Sequence, residues 1–222
     1  KDFPELTIRD MVRAHRLLAD ILGIHRIHTL VAAPSAAFSG RMGRPGAERI
    51  GKLVLIATLP SVALEHRHRR NAAHGHRSRL DLGEPYATAG MKGLAAARAI
   101  GLLSYRGPEG YDLSQQDESD DFSSHRACTY QQTKEKSSAG DNAYSYYKIL
   151  NAFDTHDVGY QRGGVAAALQ RITAECLVVG ISTDIIFTVP EMQALHRMLP
   201  RSTYHQIDSP FGTTGFWSST NN

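Results

Sequence analysis

Long apolar runs are what this sequence most clearly lacks. In 222 residues the longest is around Leu53 to Ala57, Leu-Val-Leu-Ile-Ala, whereas a bilayer-spanning helix needs about 20 apolar residues. No membrane span is expected. Cysteine is scarce too: Cys128 and Cys176 are the only two and lie far apart. They form no disulfide framework and no metal-ligand spacing, so a buried reduced pair and no metal site are expected. An excess of one charge is also missing. The formal net charge is +3 with histidine neutral, too small by itself to argue for a nucleic-acid partner. The chain opens Lys1-Asp2-Phe3-Pro4, without initiator Met, apolar signal core or cleavage site. That reads as a fragment of a cytosolic protein. What is present is ordinary for a globular chain, 41% hydrophobic and 21% charged. The length allows one sizeable α/β domain, or a core plus a smaller cap.

Thr7-Ile8-Arg9-Asp10 has the look of a helix start, a hydroxyl cap with an acid three residues on. Ile8, Met11, Val12, Leu18, Ile21 and Leu22 recur at helical spacing, and Gly23 stops the run. Ile27 to Val31 reads as a short strand. Leu53 to Ala57 is another, apolar on both faces as a central parallel strand requires. Cys176 to Ile181 and Tyr204 to Ile207 are a third and a fourth, with helices expected before the last three strands, around Gly46 to Ile50, Gly164 to Arg171 and Pro190 to Leu199. Strands alternating with helices predict an α/β fold with a parallel sheet and right-handed crossovers. Between about Leu59 and Asp157 the apolar pattern is helical where legible, as in Gly90 to Leu103 and Ala143 to Phe153. A helical cap inserted between two halves of a sheet is expected there.

Several stretches closely resemble the homoserine O-acetyltransferases. They are Phe3-Pro4 with Thr7 to Val12; Lys52 to Thr58; Asn142-Ala143-Tyr144-Ser145-Tyr146-Tyr147; Val179-Gly180-Ile181-Ser182-Thr183-Asp184; and Ile207-Asp208-Ser209 with Gly212, Gly215 and Phe216. They run in family order from end to end. Each alone is weak; together they are specific. The resemblance implies an α/β-hydrolase-type parallel sheet with an inserted helical cap, here without its first strands: core over 1–58, cap over 59–160, core again over 161–222. It implies a cytoplasmic, homodimeric acyltransferase of methionine biosynthesis. Acetyl-CoA is its co-substrate, L-homoserine its acceptor, and no cofactor is needed.

The family works through a Ser-Asp-His triad in that chain order. The serine takes the acetyl group, the histidine shuttles the proton, and the aspartate orients the histidine. Asp184 matches the acid; the alternative is an ordinary turn or cap aspartate. The nucleophile site departs from the pattern. Where the family has Gly-Gly-Ser-Met-Gly-Gly, the chain reads Ala32-Ala33-Pro34-Ser35-Ala36-Ala37. Pro34 stands at the serine position in direct register, and Ser35 is the candidate if the register slips by one. Alanine does not favour the positive φ such an elbow requires, and proline removes a donor. The family motif Gly-His-Asp-Gly-Phe appears as Gly212-Thr213-Thr214-Gly215-Phe216. Thr213 has no titratable nitrogen with which to act as base. Thr214 replaces an acidic residue that the family turns toward the substrate amine.

The departures share a property. With permitted codons, Gly212 to Asn222 plus one nucleotide after the first codon reads Gly-His-Asp-Gly-Phe-Leu-Val-Glu-Tyr-Glu-Gln. Ala32 to Ser39 with one leading nucleotide reads Gly-Gly-Ser-Ile-Gly-Gly-Phe-Gln. The second half of His66 to Gly83, shifted likewise, also becomes family-like. An acetyltransferase gene carrying frame errors, or a decayed copy, is the reading of these segments. His66, Arg67, His68, Arg69, Arg70, His74, His76, Arg77 and Arg79 otherwise suggest a metal site or a polyanion-binding patch, weighed against a solvated loop. Asp117 to Asp121 reads as a solvated stretch. Tyr144 to Tyr147 lines a substrate channel or packs a helix face. Gly163-Gly164 reads as a linker. The alternatives that stay open are a catalytically silent fold remnant or interaction module, and a related acyltransferase with a succinyl donor or a serine acceptor. No membrane or nucleic-acid partner is expected.

Overall fold

The computed structural model describes residues 4–32, 49–61, 94, 98, 101, 103–115 and 143–218, with residues 217 and 218 described by backbone alone. Helix α1 (Ile8–Ile21) starts where its cap is written. The Thr7 hydroxyl accepts the Asp10 N–H at 3.2 Å, and the Asp10 carboxylate accepts the Thr7 N–H at 3.1 Å. This reciprocal pair satisfies two N–H groups that the helix cannot. Gly23, at φ +68°, ends the turn that follows. The apolar stripe of α1 is less buried than its spacing predicts. Ile8 is covered, but Leu18, Ile21 and Leu22 are each more than half exposed.

Four strands form one sheet in the order β1-β2-β3-β4: β1 (Ile27–Ala32), β2 (Ile50–Ile56), β3 (Glu175–Ile181) and β4 (Ser202–Ile207). All three pairings are parallel. Two expectations need correction. Ile50 does not close a helix; it opens β2, pairing with Ile27 and nearly buried. The helix expected over the preceding residues falls outside the described residues, except Arg49, which is not helical. Ala57 does not continue β2. It turns to φ +46°, while its N–H still bonds the Val179 carbonyl at 3.1 Å. A positive φ is costly for a non-glycine residue, and Ala57 holds it inside the core.

Cross-strand rows share a face, because side chains alternate along a strand. The row Ala32, Leu55, Val178 and Tyr204 lies on the face against which Met192 of helix α5 (Val189–Met198) packs. Helix α5 is capped by Glu191, whose carboxylate accepts both the N–H and the hydroxyl of Thr188. The opposite row, Val31, Val54, Leu177 and Thr203, is open in its first half, with Val31 61% exposed.

Between β2 and β3 the described backbone is helical: at 94, 98, 101 and 103–105, in α2 (Pro108–Ser114), α3 (Ala143–Asp154) and α4 (Val165–Leu169). Helix α2 was not legible as a helix, although Pro108 at its first turn marks a start. The chain leaves and re-enters the sheet side by side, Ser61 bridging Asp157 and the Val158 N–H bonding the Pro60 carbonyl at 3.0 Å. Arg9 of α1 donates to the carbonyls of Asp157 and Tyr160 and lies over the Tyr160 ring. His156 is buried at this junction with its Nε2 unpartnered. Burial pulls its pKa down to about 4, with Arg9 adding to the effect and Asp157 opposing it.

Two stability measurements follow from this packing. Leu55 is fully buried in the central strand and Leu17 is 63% exposed. In urea denaturation, Leu55→Ala is expected to cost about 2–5 kcal/mol and Leu17→Ala no more than about 0.5 kcal/mol. His156 is neutral in the fold and titrates at 6.5 when unfolded. Its depressed pKa makes its contribution complete above pH 6.5 and progressively lost as pH falls toward 4. His156→Gln therefore flattens the acid limb of stability between those values; an unchanged limb would show that His156 is not what titrates.

Candidate active site

The parallel register puts the carboxyl ends of all the strands on one edge, where α/β sheets bind ligands. Ser182, Thr183 and Asp184 follow β3, and residues 208–214 follow β4. Asp184 is 4% exposed. Its Oδ1 accepts three bonds: from the N–H of Ile186 at 2.8 Å, from the N–H of Phe187 at 3.0 Å and from the Thr213 hydroxyl at 2.8 Å. Its Oδ2 is buried with no partner. Burial raises the pKa of this carboxyl, outweighing the hydrogen bonds that lower it, and nearby Glu191 raises it further.

The chain thus brings together two of the residues that the sequence singles out, Asp184 and Thr213, which are 29 positions apart. Thr214 does not join them. Its hydroxyl folds back onto the Phe211 carbonyl at 2.7 Å, within its own 3₁₀ turn (Gly212–Thr214). Pro34 and Ser35 lie outside the described residues, as do Cys128, His66 to Arg79 and the Asp117 to Asp121 run. Strand β1, which leads to Pro34 and Ser35, ends at Ala32 on the same edge. It is two strand spacings from β3, roughly 10 Å.

Sequence reasoning missed what holds the Asp184 and Thr213 loops together. The Ser182 N–H bonds the Ile207 carbonyl at 3.0 Å, extending the ladder by one step. Beyond it the ties are hydroxyls. Ser182 Oγ accepts the Ser209 N–H at 3.1 Å, and Ser209 Oγ accepts the Phe211 N–H at 3.3 Å. Glycine permits the closest approaches. A Cβ on Gly215 would sit 2.5 Å from Ser209 Oγ; one on Gly212, which lies at φ +55°, would sit 2.7 Å from the Gly107 nitrogen. The spacing Gly107-Pro108-Glu109-Gly110 was the signal available for that contact.

Other candidates are placed as follows. Arg98 lies over the ring of Tyr146 on α3; within α3, Lys148 lies over the Tyr144 ring and is paired with Glu5. Cys176 is a buried thiol on β3 that donates to the Ala174 carbonyl at 3.5 Å. A cleft of about 550 Å³ at the amino ends of β1–β4, between Lys52, Glu175 and Arg201, is away from Asp184 and is rimmed by ion pairs. Among the described residues no cluster could hold a metal ion, and no helix is long and apolar enough to cross a membrane.

No protein-family model matches the chain. Curated relatives do. The chain is 33% identical to the homoserine O-acetyltransferase of Cyclobacterium marinum over 226 residues, 97% of this chain and 62% of that protein. It is 36% identical to the one from Thermus thermophilus, covering 97% of this chain and 56% of the relative. The chain thus spans 56–62% of the length of these relatives. Among solved structures, the homoserine O-acetyltransferase of Bacillus anthracis superposes with a TM-score of 0.82 at 19% identity, over 99% of this chain and 64% of that one. The fold is that of the α/β-hydrolases.

The titration of Asp184 is a direct check on this geometry. Its pKa is raised in the fold above the ordinary 3.8. Any stability it contributes is complete below pH 3.8 and is lost as pH rises through the raised value. Asp184→Asn keeps an acceptor and carries no charge. Compared with it by urea denaturation, the parent is expected to lose ground as pH rises from 3.8 through the raised value. A pH-independent difference would mean that Asp184 is not buried in the way described.

Proposed function

Homology to the homoserine O-acetyltransferases runs along 97% of this chain, and from it we propose that the chain carries the framework of that activity: acetyl transfer from acetyl-CoA to L-homoserine through a serine acyl-enzyme. One observation carries the reading. Asp184 and Thr213, the family acid and base positions, are joined by a 2.8 Å hydrogen bond at the carboxyl edge of the sheet. In the complete site a histidine at 213 takes the serine proton, and Asp184 fixes its tautomer and stabilises the imidazolium. The homoserine hydroxyl then attacks the acyl-enzyme in place of water. The segment over 59–160 is the cap that closes over this edge. The reading includes a cytoplasmic homodimer, as the resemblance implies.

The chain as written does not complete that chemistry. Threonine at 213 accepts no proton near neutral pH. A catalytically silent form of the fold is the second reading, and Thr213 favours it. We further propose that the segments from Ala32 and from Gly212 are out of frame, because the same single-nucleotide change restores family-like sequence in both. Resequencing the gene tests this; an uninterrupted frame that encodes Pro34 and Thr213 would overturn it.

Acyl transfer is followed as release of the CoA thiol from acetyl-CoA with L-homoserine as acceptor. The written chain is expected to release none above buffer, and Ser35→Ala to change nothing. Replacing Ala32 to Ser39 and Gly212 to Asn222 by their frame-shifted sequences is expected to give turnover. Asp184→Asn should then lower that turnover by roughly 10⁴-fold. Turnover by the restored chain that Asp184→Asn leaves unchanged would overturn the acid–base reading of Asp184. Turnover by the written chain that disappears in Ser35→Ala would overturn its silence.

A further inference from the structure

Asp184 and Thr213 sit on different loops, and the backbone ladder between those loops ends at Ser182. One side chain past that point bonds to the Thr213 loop in two places. Thr183 Oγ1 donates to the Ser209 carbonyl at 2.6 Å and accepts the Gly212 N–H at 2.9 Å. Ser209 and Gly212 lie just before position 213, Gly212 opening the 3₁₀ turn that carries it, and Thr183 is the immediate neighbour of Asp184. A third segment closes on the same side chain. A Cβ on Gly107 would lie 3.0 Å from Thr183 Cβ and 3.1 Å from its Oγ1, and one on Gly110 would lie 2.5 Å from the Pro210 carbonyl. A hydroxyl donates and accepts at once through one atom. The β-branch of threonine restricts its χ1, so the oxygen is held where both partners need it.

We propose that Thr183 is a positioning residue that sets the separation of the acid at 184 and the base position at 213; this rests on the acid–base reading of those two positions. Removing the hydroxyl leaves the Gly212 N–H without its acceptor and the Ser209 carbonyl with only the longer 3.4 Å bond from the Ser182 hydroxyl, so the tie between the two loops next to position 213 is loosened. Serine keeps both bonds. Valine keeps the shape of threonine and loses both.

The test uses two readouts. In the written chain, amide hydrogen exchange of Gly212 is expected to speed up roughly threefold to tenfold in Thr183→Val, and to stay at the parent rate in Thr183→Ser. The amides of Ile186 and Phe187, which bond Asp184 itself, should not move; if they accelerate with Gly212, Thr183 is merely structural. In a Thr213→His background, the imidazole N–H held by Asp184 should appear as a far-downfield proton resonance. It should persist with Thr183→Ser and vanish with Thr183→Val. If the resonance is absent with Thr183 intact, the acid–base reading fails. If it is present and survives Thr183→Val, the positioning proposal fails. Should Thr183→Val not fold, Thr183→Ala removes the hydroxyl without bulk and carries the same expectation.

Discussion

The parallel pairing of β2 with β1 on one side and β3 on the other is the constraint from which the site follows. Strands that run the same way deliver their outgoing loops to the same edge. The loops after β3 and β4 meet there, and β1 ends on the same edge. The pairing is held by a row of side chains that water does not reach, Leu55 and Val178 above all, both fully buried. Burial of such residues on a shared face is worth about 1.5–3 kcal/mol each. A register slip of one residue would turn the whole row outward.

On that edge the decisive group is a carboxyl that the fold has taken out of water. Asp184 has one oxygen bonded three times and the other not at all. A buried carboxylate oxygen with no donor is costly, and native structures keep such groups mainly where a function needs them. The Thr213 hydroxyl on Oδ1 ties this carboxyl to the loop after β4, while Oδ2 has no partner among the described residues.

The hydroxyls of Ser182 and Thr183 show how the two loops are kept in reach of each other without a strand between them. The glycines at 107, 110 and 212 let the segment between β2 and β3 close to backbone distance. Specificity of placement on this edge thus comes from small residues and short polar side chains, while the apolar core beneath supplies the stability.

The sequence by itself determined a good deal. The Thr7–Asp10 cap, the four short apolar strands and Asp184 at the end of the third are all local patterns, set by residue type and spacing. Threonine at 213 was also plain in the letters. What the letters did not carry was contact between distant residues. Ile50 reads as the end of a helix until its pairing with Ile27 draws it into the sheet, and Ala57 reads as strand until the core holds it at positive φ. Thr183 looks like an ordinary turn hydroxyl until Ser209 and Gly212 arrive on either side of it. The bond between Asp184 and Thr213 joins two loops from separate strands, and only the parallel sheet, by sending both loops to one edge, could bring them together.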